Sequence, residues 1–499
     1  MRAAPPTVNT EFEASRASFD TLVNFLGGRA ATGLTHSELE DHLQVEGRKL
    51  LCQLLQNHVD LRAAREERLD EVTEADGTIH TRLERGHVRG VATVFGDIDV
   101  SWLAYRAPFS TNLYPADAML NLPAEKYSFG LRRLAAVEAG RGSFEQTVAA
   151  IDRATGQRLG KRQIQELTAR AALDVEDFYR TRDTPTDTAG DVLALSYDGK
   201  GIVMRADALR TATAAAAASR KLSTRLSKGE KRNRKRMAEV GAVYDVVPSP
   251  RTPADIITTP GTPPPTNRAP RPLTRGTWLT ASVTDDTGQV ITSVFDEAER
   301  RDPDHHRTWI ALVDGNNHQI DQTTAQARKR GVEVTIIVDF VHVLEYVWKA
   351  AWCFHPEGDP EAEAWVAVKA LEILSGNAGL VAAAIRRTAT RRGLTPEQRR
   401  NADTAATYLH NKKKYLDYPT ALAAGWPIAT GVIEGACRHL VKDRMDITGA
   451  RWGLDGAEAV LALRTLTSND DFDAYWAYHQ RQEQHRVHNG RYWNETIPT

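Results

Sequence analysis

Four acidic residues fall at positions from which a folded sheet could present them together. Asp198, Asp314 and Asp339 each follow a short apolar run that predicts a β-strand, and Glu434 lies early in a predicted helix. The sheet fixes the backbone of a strand-terminal carboxylate. Two such groups on adjacent strands, with an acid from a helix lying across them, can hold two divalent ions about 4 Å apart. This set of acids therefore predicts metal-dependent phosphoryl transfer.

The residue types narrow the choice of metal. Asp198 and Asp314 are each followed by glycine, which lets another backbone or a substrate approach closely. We predict that these two residues and Glu434 are both catalytic and metal-binding. Oxygen ligands without a compact Cys/His set favour two Mg²⁺ or Mn²⁺ ions over zinc. Each element is weak evidence alone, because Asp-Gly after a strand is usually a turn.

The elements that would position these acids begin near residue 190. Apolar runs predict strands at residues 192–197, 238–247, 278–283, 290–295, 309–313 and 334–338, with the third and fourth paired as a hairpin. Helices are expected from residue 340 almost to the end. The pattern predicts an α/β catalytic domain over 186–499, a mixed sheet flanked by helices, with a basic, Pro-rich insert at 205–275 and a helical insertion at 345–430.

Charge is balanced over the 499 residues but unevenly distributed. The chain has 64 Lys and Arg against 65 Asp and Glu, a net charge of −1, yet residues 220–236 hold nine basic side chains and one acidic one. A basic side chain that neutralises a phosphate releases counterions, so this cluster is typical of a DNA contact. A solvated loop is the alternative. The candidate DNA-binding residues are Lys228, Lys231, Arg232, Arg234, Lys235 and Arg236.

The region before residue 186 is predicted to be mainly helical. We expect a helical region at 1–85, a β-hairpin at 86–115 and a helix-turn-helix-like segment at 116–185. In that segment, Lys161 and Arg162 open the second helix, where such side chains reach phosphates and base edges. A plain helical hairpin is the alternative interpretation of the same pattern.

Composition excludes some classes of protein. No window approaches the roughly 18 to 20 apolar residues that a membrane span requires. The three cysteines, Cys52, Cys353 and Cys437, lie far apart, which argues against a disulfide framework and fits a reducing cytosol. We therefore expect a cytoplasmic protein with no membrane partner.

Five motifs in combination resemble the ISKra insertion-sequence transposases, in the Mutator-like branch of the DDE transposases. The motifs are SYDGKG at 196–201, KGEKRNRKRMAEVGAVYDVV at 228–247, WIALVDG at 309–315, VDFVHVLEYVW at 338–348 and GVIEG at 431–435. The similarity extends over roughly residues 85–455. It implies an RNase H-like catalytic fold.

The resemblance also assigns roles to residues. The family's first acid matches Asp198 and its last acid matches Glu434. Its middle acid matches Asp314, with Asp339 as the alternative, and the first and fourth strands are neighbours in an RNase H-like sheet. His342 would be a supporting residue that orients the site or a phosphate.

A further match to the family is Trp452. Its ring would either stack on an unpaired base or belong to the core.

The function implied is that of a DNA transposase. It would bind the terminal inverted repeats of its element, cleave the strands and join the 3′ ends to target DNA, in the nucleoid-associated cytoplasm of a bacterium. Because such enzymes act on two double-stranded ends at once, a homodimer or larger homo-oligomer is expected. The alternatives are an inactive DNA-binding regulator derived from a transposase, and an RNase H-like nuclease that does not join strands.

Overall fold

The structure, a computed structural model, describes residues 11–183, 192–218, 234–263, 265–447 and 449–499. The chain forms two compact units, one made of residues 1–181 and 470–499 and the other of residues 182–469. Residues 470–499 therefore belong with the N-terminal unit, whereas the sequence placed them at the end of the catalytic domain.

The first unit is mainly helical. Its helices are α1 (Glu13–Gly27), α2 (Arg29–Thr32), α3 (His36–Arg65), α4 (Pro115–Met119), α5 (Phe129–Arg141), α6 (Phe144–Thr155), α7 (Lys161–Ala171), α8 (Val175–Thr181) and a C-terminal helix (Phe472–Val487). Its strands are β1 (Val72–Thr73), β2 (Ile79–His80), β3 (Arg82–Ala92) and β4 (Asp97–Arg106). β3 and β4 form an antiparallel hairpin, as the alternation predicted.

Local signals explain several of these helix ends. Thr35 accepts from the Glu38 N–H and Glu38 accepts from Thr35, which makes the capping box that starts α3. α6 ends at Gly156, whose φ of 73° is the left-handed conformation that favours glycine at this position. α6 and α7 are the two helices of the proposed DNA-contacting segment, joined by residues 156–160.

The second unit is built on a five-stranded mixed sheet. Its strands are β5 (Val192–Val203), β6 (Lys235–Val247), β7 (Leu273–Ser282), β8 (Thr308–Val313) and β9 (Val334–Val338). They are ordered β7-β6-β5-β8-β9. β5, β6 and β7 run antiparallel, whereas β8 and β9 join them in parallel. The fold class of this unit is therefore α/β with a mixed sheet, as predicted.

Helices flank this sheet and fill the second half of the unit. They are α9 (Thr211–Ala218), α10 (Pro253–Ile256), α11 (Thr287–Arg301), α12 (Asn317–Arg330), α13 (Phe340–Ala351), α14 (Pro360–Leu374), α15 (Ala378–Arg391), α16 (Arg400–Lys412), α17 (Tyr418–Ala423), α18 (Gly431–Ala436), α19 (Asp443–Met445) and α20 (Leu454–Ser468). A π-helical turn, Cys437–Lys442, links α18 to α19. Among the described helices, none is both long and apolar enough to cross a membrane.

The hairpin predicted at 278–283 and 290–295 is wrong, because its second half is helix α11. Asp286 and Gln289 form a capping box that starts this helix. Its buried positions include Val290, Ile291 and Val294, a helical spacing that a short apolar run does not distinguish from a strand. β7 pairs with β6 instead.

The basic insert at 205–275 is not one segment outside the sheet. β6 lies inside it and is an interior strand, hydrogen-bonded to β5 on one side and β7 on the other. Deleting the insert would therefore remove part of the sheet. β5 also continues to Val203, six residues beyond the predicted end of the strand.

Close packing of α11 on β6 gives the first prediction. A Cβ at Gly241 would lie 2.4 Å from Val294 Cγ2 and 3.2 Å from Val290 Cγ1. We therefore expect Gly241→Ala to lower the free energy of unfolding by about 1–3 kcal/mol, measured by urea denaturation. Gly456→Ala on α20 is the matched control, since nothing lies within 4 Å of a Cβ there. Equal stability of the two variants would contradict this packing.

Candidate active site

Parallel pairing aligns three aspartates in one row. Ser196 on β5 is the register partner of Leu312 on β8, which in turn is the partner of Ile337 on β9. Two residues further along each strand stand Asp198, Asp314 and Asp339. Side chains two apart in a strand share a face, and neighbouring strands lie about 4.8 Å apart. The three carboxylates therefore leave the same face of the sheet on adjacent strands.

The ladder continues far enough to support this alignment. The last paired residues of β8 and β9 are Val313 and Val338. Asp339, the next residue after β9, still donates its N–H to the Val313 carbonyl at 2.8 Å. On the other side, Asp198 lies within β5, which stays paired with β6 up to Val203. Asp198 is thus held by a strand interior, and not by a strand end as the sequence suggested.

Asp198 is partly buried against the helix that carries Glu434. Its Oδ1 accepts from the Gly199 N–H at 2.7 Å, and the Cys437 thiol donates to its carboxylate. Burial raises the pKa of Asp198, and the charge of Asp314 adds to the increase. Burial and Asp198 likewise raise the pKa of the Cys437 thiol, which therefore stays protonated and able to donate. The two aspartates are close enough to repel each other when both are ionised.

The Asp314 loop is clamped from the helical layer. Asp314 Oδ1 accepts from the Asn316 N–H at 2.7 Å, and its main-chain oxygen accepts from the Tyr408 hydroxyl at 3.0 Å. Gly315 has a φ of 91°, and a Cβ there would lie 2.3 Å from Tyr408 Oη. Nearby, the buried Lys412 ammonium donates to Asn317. α16 thus fixes the loop that carries the second acid.

Asp339 has a different environment. It is 2% exposed and caps α13, with its Oδ1 accepting from the Val341 N–H at 2.7 Å. Its Oδ2 accepts from the hydroxyl and the N–H of Thr430, the residue before α18. Both carboxylate oxygens are therefore occupied in joining β9, α13 and the start of α18.

Glu434 approaches the row from α18. Much of its side chain is exposed to solvent. Partial desolvation of its carboxylate nevertheless raises its pKa, and the charges of Asp339 and Asp198 raise it further. Glu434 and Cys437 are three residues apart, a spacing that places two helical side chains on one face. Because Cys437 contacts Asp198, that face of the helix is directed towards the row of aspartates.

The donor set suits a hard divalent cation, since it consists of carboxylates whose mutual repulsion a cation would relieve. Across the described residues, no three His, Cys, Asp or Glu side chains are arranged to hold one ion as they stand. A shared ion would therefore require a change of side-chain conformation. Glu434, whose side chain is exposed, is the member of the set best able to make it.

His342 belongs to an aromatic cluster beside the Asp314 loop. Its ring lies 5.5 Å from that of Tyr346 and 6.1 Å from that of Tyr408, centroid to centroid. Tyr346 and Tyr408 are stacked at 4.0 Å. His342 is therefore linked to Asp314 through Tyr408, in keeping with a supporting position near the acids.

Trp452 is buried, with 5% of its surface exposed. Its ring N–H donates to the Met445 carbonyl at 2.9 Å, and the Arg444 guanidinium lies over its ring. Its backbone bonds to Val203 at the end of β5. In this position the ring is not accessible to a DNA base, and it joins the segment after α19 to the sheet.

The candidate DNA-binding residues fall into three groups. Lys161 and Arg162 are exposed at the start of α7, paired with Glu145 and Glu166. Lys228, Lys231 and Arg232 lie outside the described residues.

The third group is Arg234, Lys235 and Arg236, at the start of β6. Lys235 Nζ donates to the Gly201 carbonyl and to Asp446, and Arg236 donates to the Val283 carbonyl at 2.6 Å. Lys235 and Arg236 thus already have partners within the protein.

Sequence reasoning missed several residues around the acids. Tyr408, Lys412 and Cys437 carry no sequence signal, because their partners are distant in the chain. Glu239 does carry one, since it is an acid within the apolar run of β6. Glu239 stands opposite Gly199. Burial raises its pKa and the charge of Asp198 raises it further, while a hydrogen bond with Thr287 lowers it in part.

Comparison with known families adds no assignment. No family model matches the chain, and no curated protein sequence is significantly similar to it.

The Tyr408 clamp generates a double-mutant prediction. Tyr408→Phe removes one hydrogen bond and should cost about 0.5–1.5 kcal/mol of unfolding free energy. Gly315→Ala should cost more, because the new Cβ meets Tyr408 Oη and an L-residue at positive φ is strained. The double variant should cost less than the sum, since phenylalanine removes the clashing oxygen. Strict additivity in urea denaturation would contradict the clamp.

The raised pKa of Asp198 predicts a gain in stability on neutralisation. A carboxyl whose pKa is higher in the folded state binds more protons there. The free energy of unfolding therefore falls as the pH rises from the unfolded-state pKa of Asp198 to its folded-state pKa, and it stays lowered at higher pH. Without divalent ions, Asp198→Asn should therefore melt at a higher temperature than wild type at pH 7. The difference should shrink at acidic pH, below the ordinary pKa of Asp. A pH-independent difference would contradict the electrostatic cause.

Proposed function

We propose that this protein is a DNA transposase of the DDE class with an RNase H-like catalytic core. The observation that carries the proposal is the register of β5, β8 and β9, which aligns Asp198 and Asp314 on one face, with α18 and Glu434 directed towards them. It is the arrangement of two strand acids and one helix acid that metal-dependent phosphoryl transfer requires.

The sheet topology supports the RNase H-like assignment. In such a sheet the first and fourth strands are neighbours, and here β5 and β8 are the first and fourth strands of the unit and pair in parallel. The last acid then comes from a helix late in the chain, as Glu434 does from α18.

Asp314 is the better candidate for the middle acid. Asp339 uses both oxygens as the cap of α13 and the acceptor from Thr430, so a metal would have to compete with these bonds. Asp314 uses only Oδ1 for a hydrogen bond among the described residues. Asp339 then acts as a positioning residue that joins β9 to the helix of Glu434.

Mg²⁺ or Mn²⁺ held by Asp198, Asp314 and Glu434 would supply Lewis-acid activation of a water or 3′-hydroxyl nucleophile and stabilise the leaving oxygen. The protein's part is to hold the carboxylates in place. Tyr408 and Gly315 fix the Asp314 loop, while Cys437 and the Gly199 N–H orient Asp198. His342 would support the same loop through Tyr408.

DNA binding is assigned to two regions. Lys161 and Arg162 at the N-terminus of α7 are exposed, and their carboxylate partners Glu145 and Glu166 are side chains that a phosphate could displace. The basic residues of 220–236 would add phosphate contacts. Because two element ends must be joined, a homodimer or larger assembly is proposed.

The test is Mg²⁺- or Mn²⁺-dependent cleavage of duplexes taken from the sequences that flank the coding region. Asp198→Asn, Asp314→Asn and Glu434→Gln should each abolish cleavage, a loss of at least about 10³-fold, while leaving DNA binding intact. Asp339→Asn should retain activity, reduced in proportion to its loss of stability. Asp207→Asn, an exposed acid in the same unit, is the control.

Other outcomes distinguish the alternatives. Wild-type protein that binds these duplexes but never cleaves them would favour the regulator. Cleavage without joining of a pre-cut 3′ end would favour the nuclease. If Asp339→Asn is inactive and Asp314→Asn remains active, the middle acid is Asp339 on the neighbouring strand.

A further inference from the structure

The N-terminal helices carry apolar side chains that the single chain does not bury. Of the described residues 32–56, none is buried, although this stretch includes most of the longest helix, α3. α1 buries only Ser15. Six exposed apolar side chains on one side of these helices, which we call the N-terminal apolar face, are Phe19, Val23, Leu26, Leu43, Leu51 and Leu54.

These side chains form two adjacent stripes. At 100° per residue, Leu43, Gly47, Leu51 and Leu54 lie within an arc of about 80° on α3. On α1, Phe19, Val23 and Leu26 fall within an arc of about 60°. This is the pattern of a core-facing helix surface, yet Phe19 is 54% and Leu51 47% exposed.

Two grooves border the face on either side of α3. One, of about 450 Å³, is lined by side chains of both helices, including Phe12, Phe19, Leu50 and Leu54. The other, of about 700 Å³, lies between α3 and the turn of the β3–β4 hairpin with α5, and is lined by Leu43, Gly47, Leu51 and Phe95 among others. The α3 stripe is thus a ridge between two channels, a shape that can interlock with a copy of itself.

The charges on α3 select the partner. Residues 36–46 carry four acidic side chains and no Lys or Arg, whereas residues 48–58 carry Arg48 and Lys49 and no Asp or Glu. In an antiparallel copy of α3 that crosses at residue 47, Glu46 of each chain lies opposite Arg48 of the other, whereas a parallel copy in register would set the acidic residues of the two chains side by side. The acidic half also disfavours DNA or an anionic lipid surface as the occupant.

Gly47 marks the crossing point. It lies in the middle of the α3 stripe, and nothing is within 4 Å of a Cβ built there. Glycine inside a helix costs about 1 kcal/mol relative to alanine, so its place here is explained if a second backbone approaches closely. A twofold axis at Gly47 would put Leu43 of one chain beside Leu51 of the other.

We propose that the N-terminal apolar face is a homodimer interface, in which α1 and α3 of two chains form an antiparallel four-helix bundle crossing at Gly47. The contact is isologous, so the same residues bury each other in both chains. The structure thus assigns to this face a second copy of the chain. The proposal uses no feature of the acid row, and it stands or falls independently of the catalytic assignment.

The mass of the full-length protein in solution tests the interface. Wild type should sediment as a dimer at micromolar concentration, and Leu51→Glu should sediment as a monomer with unchanged helix content. Val45→Glu is the matched control, because Val45 is 51% exposed on the opposite side of α3 and should leave the dimer intact. If Leu51→Glu fails to fold, Phe19→Glu provides the same test on α1. Asp314→Asn, at the acid row, should remain dimeric.

Disulfide trapping tests the direction of the helices. In a Cys52→Ser background, a mixture of Leu43→Cys and Leu51→Cys chains should cross-link on oxidation, whereas neither variant alone should do so. A monomeric wild type, or dissociation by Val45→Glu as complete as by Leu51→Glu, would overturn the interface. Self-cross-linking of Leu43→Cys would overturn the antiparallel crossing.

Discussion

The parallel register of β5, β8 and β9 is the constraint on which the candidate site depends. Because each strand is hydrogen-bonded to the next in a fixed register, backbone pairing brings Asp198, Asp314 and Asp339 into one row. A slip of one residue would send a carboxylate to the opposite face of the sheet. Everything else at the site refines the position of these three groups.

The surrounding layers treat the three aspartates differently. Both carboxylate oxygens of Asp339 accept hydrogen bonds, through which it holds α13 and α18 to the sheet. Asp198 and Glu434 instead have raised pKa values, because burial and neighbouring carboxylates oppose their ionisation. Carboxylates that repel one another lower the stability of the fold. Proteins commonly keep such groups together at functional sites.

Much of the second unit, residues 182–469, could be predicted from its sequence. β8 and β9 are short apolar runs bounded by turn residues, and both were found within one residue of the predicted limits. α11 was mistaken for a strand because its buried residues also fit an apolar run, and only the cap at Asp286 distinguishes the two. The alternation of β3 and β4 and the cap at Thr35 are equally local signals.

The parts that could not be predicted depend on contacts distant in sequence. The role of Asp339 is set by Thr430, and that of Gly315 by Tyr408, each about 90 residues away. The burial of Trp452 depends on its bonds to the end of β5. No local pattern records these partners.

Manganese binding to the isolated protein, followed by electron paramagnetic resonance, tests the central claim most directly, because it needs neither the right DNA nor turnover. The account predicts that wild type binds Mn²⁺ and that Asp198→Asn and Asp314→Asn each abolish the binding, with Asp339→Asn close to wild type. Binding that survives both of the first two substitutions would contradict the assignment of the acid row as a metal site.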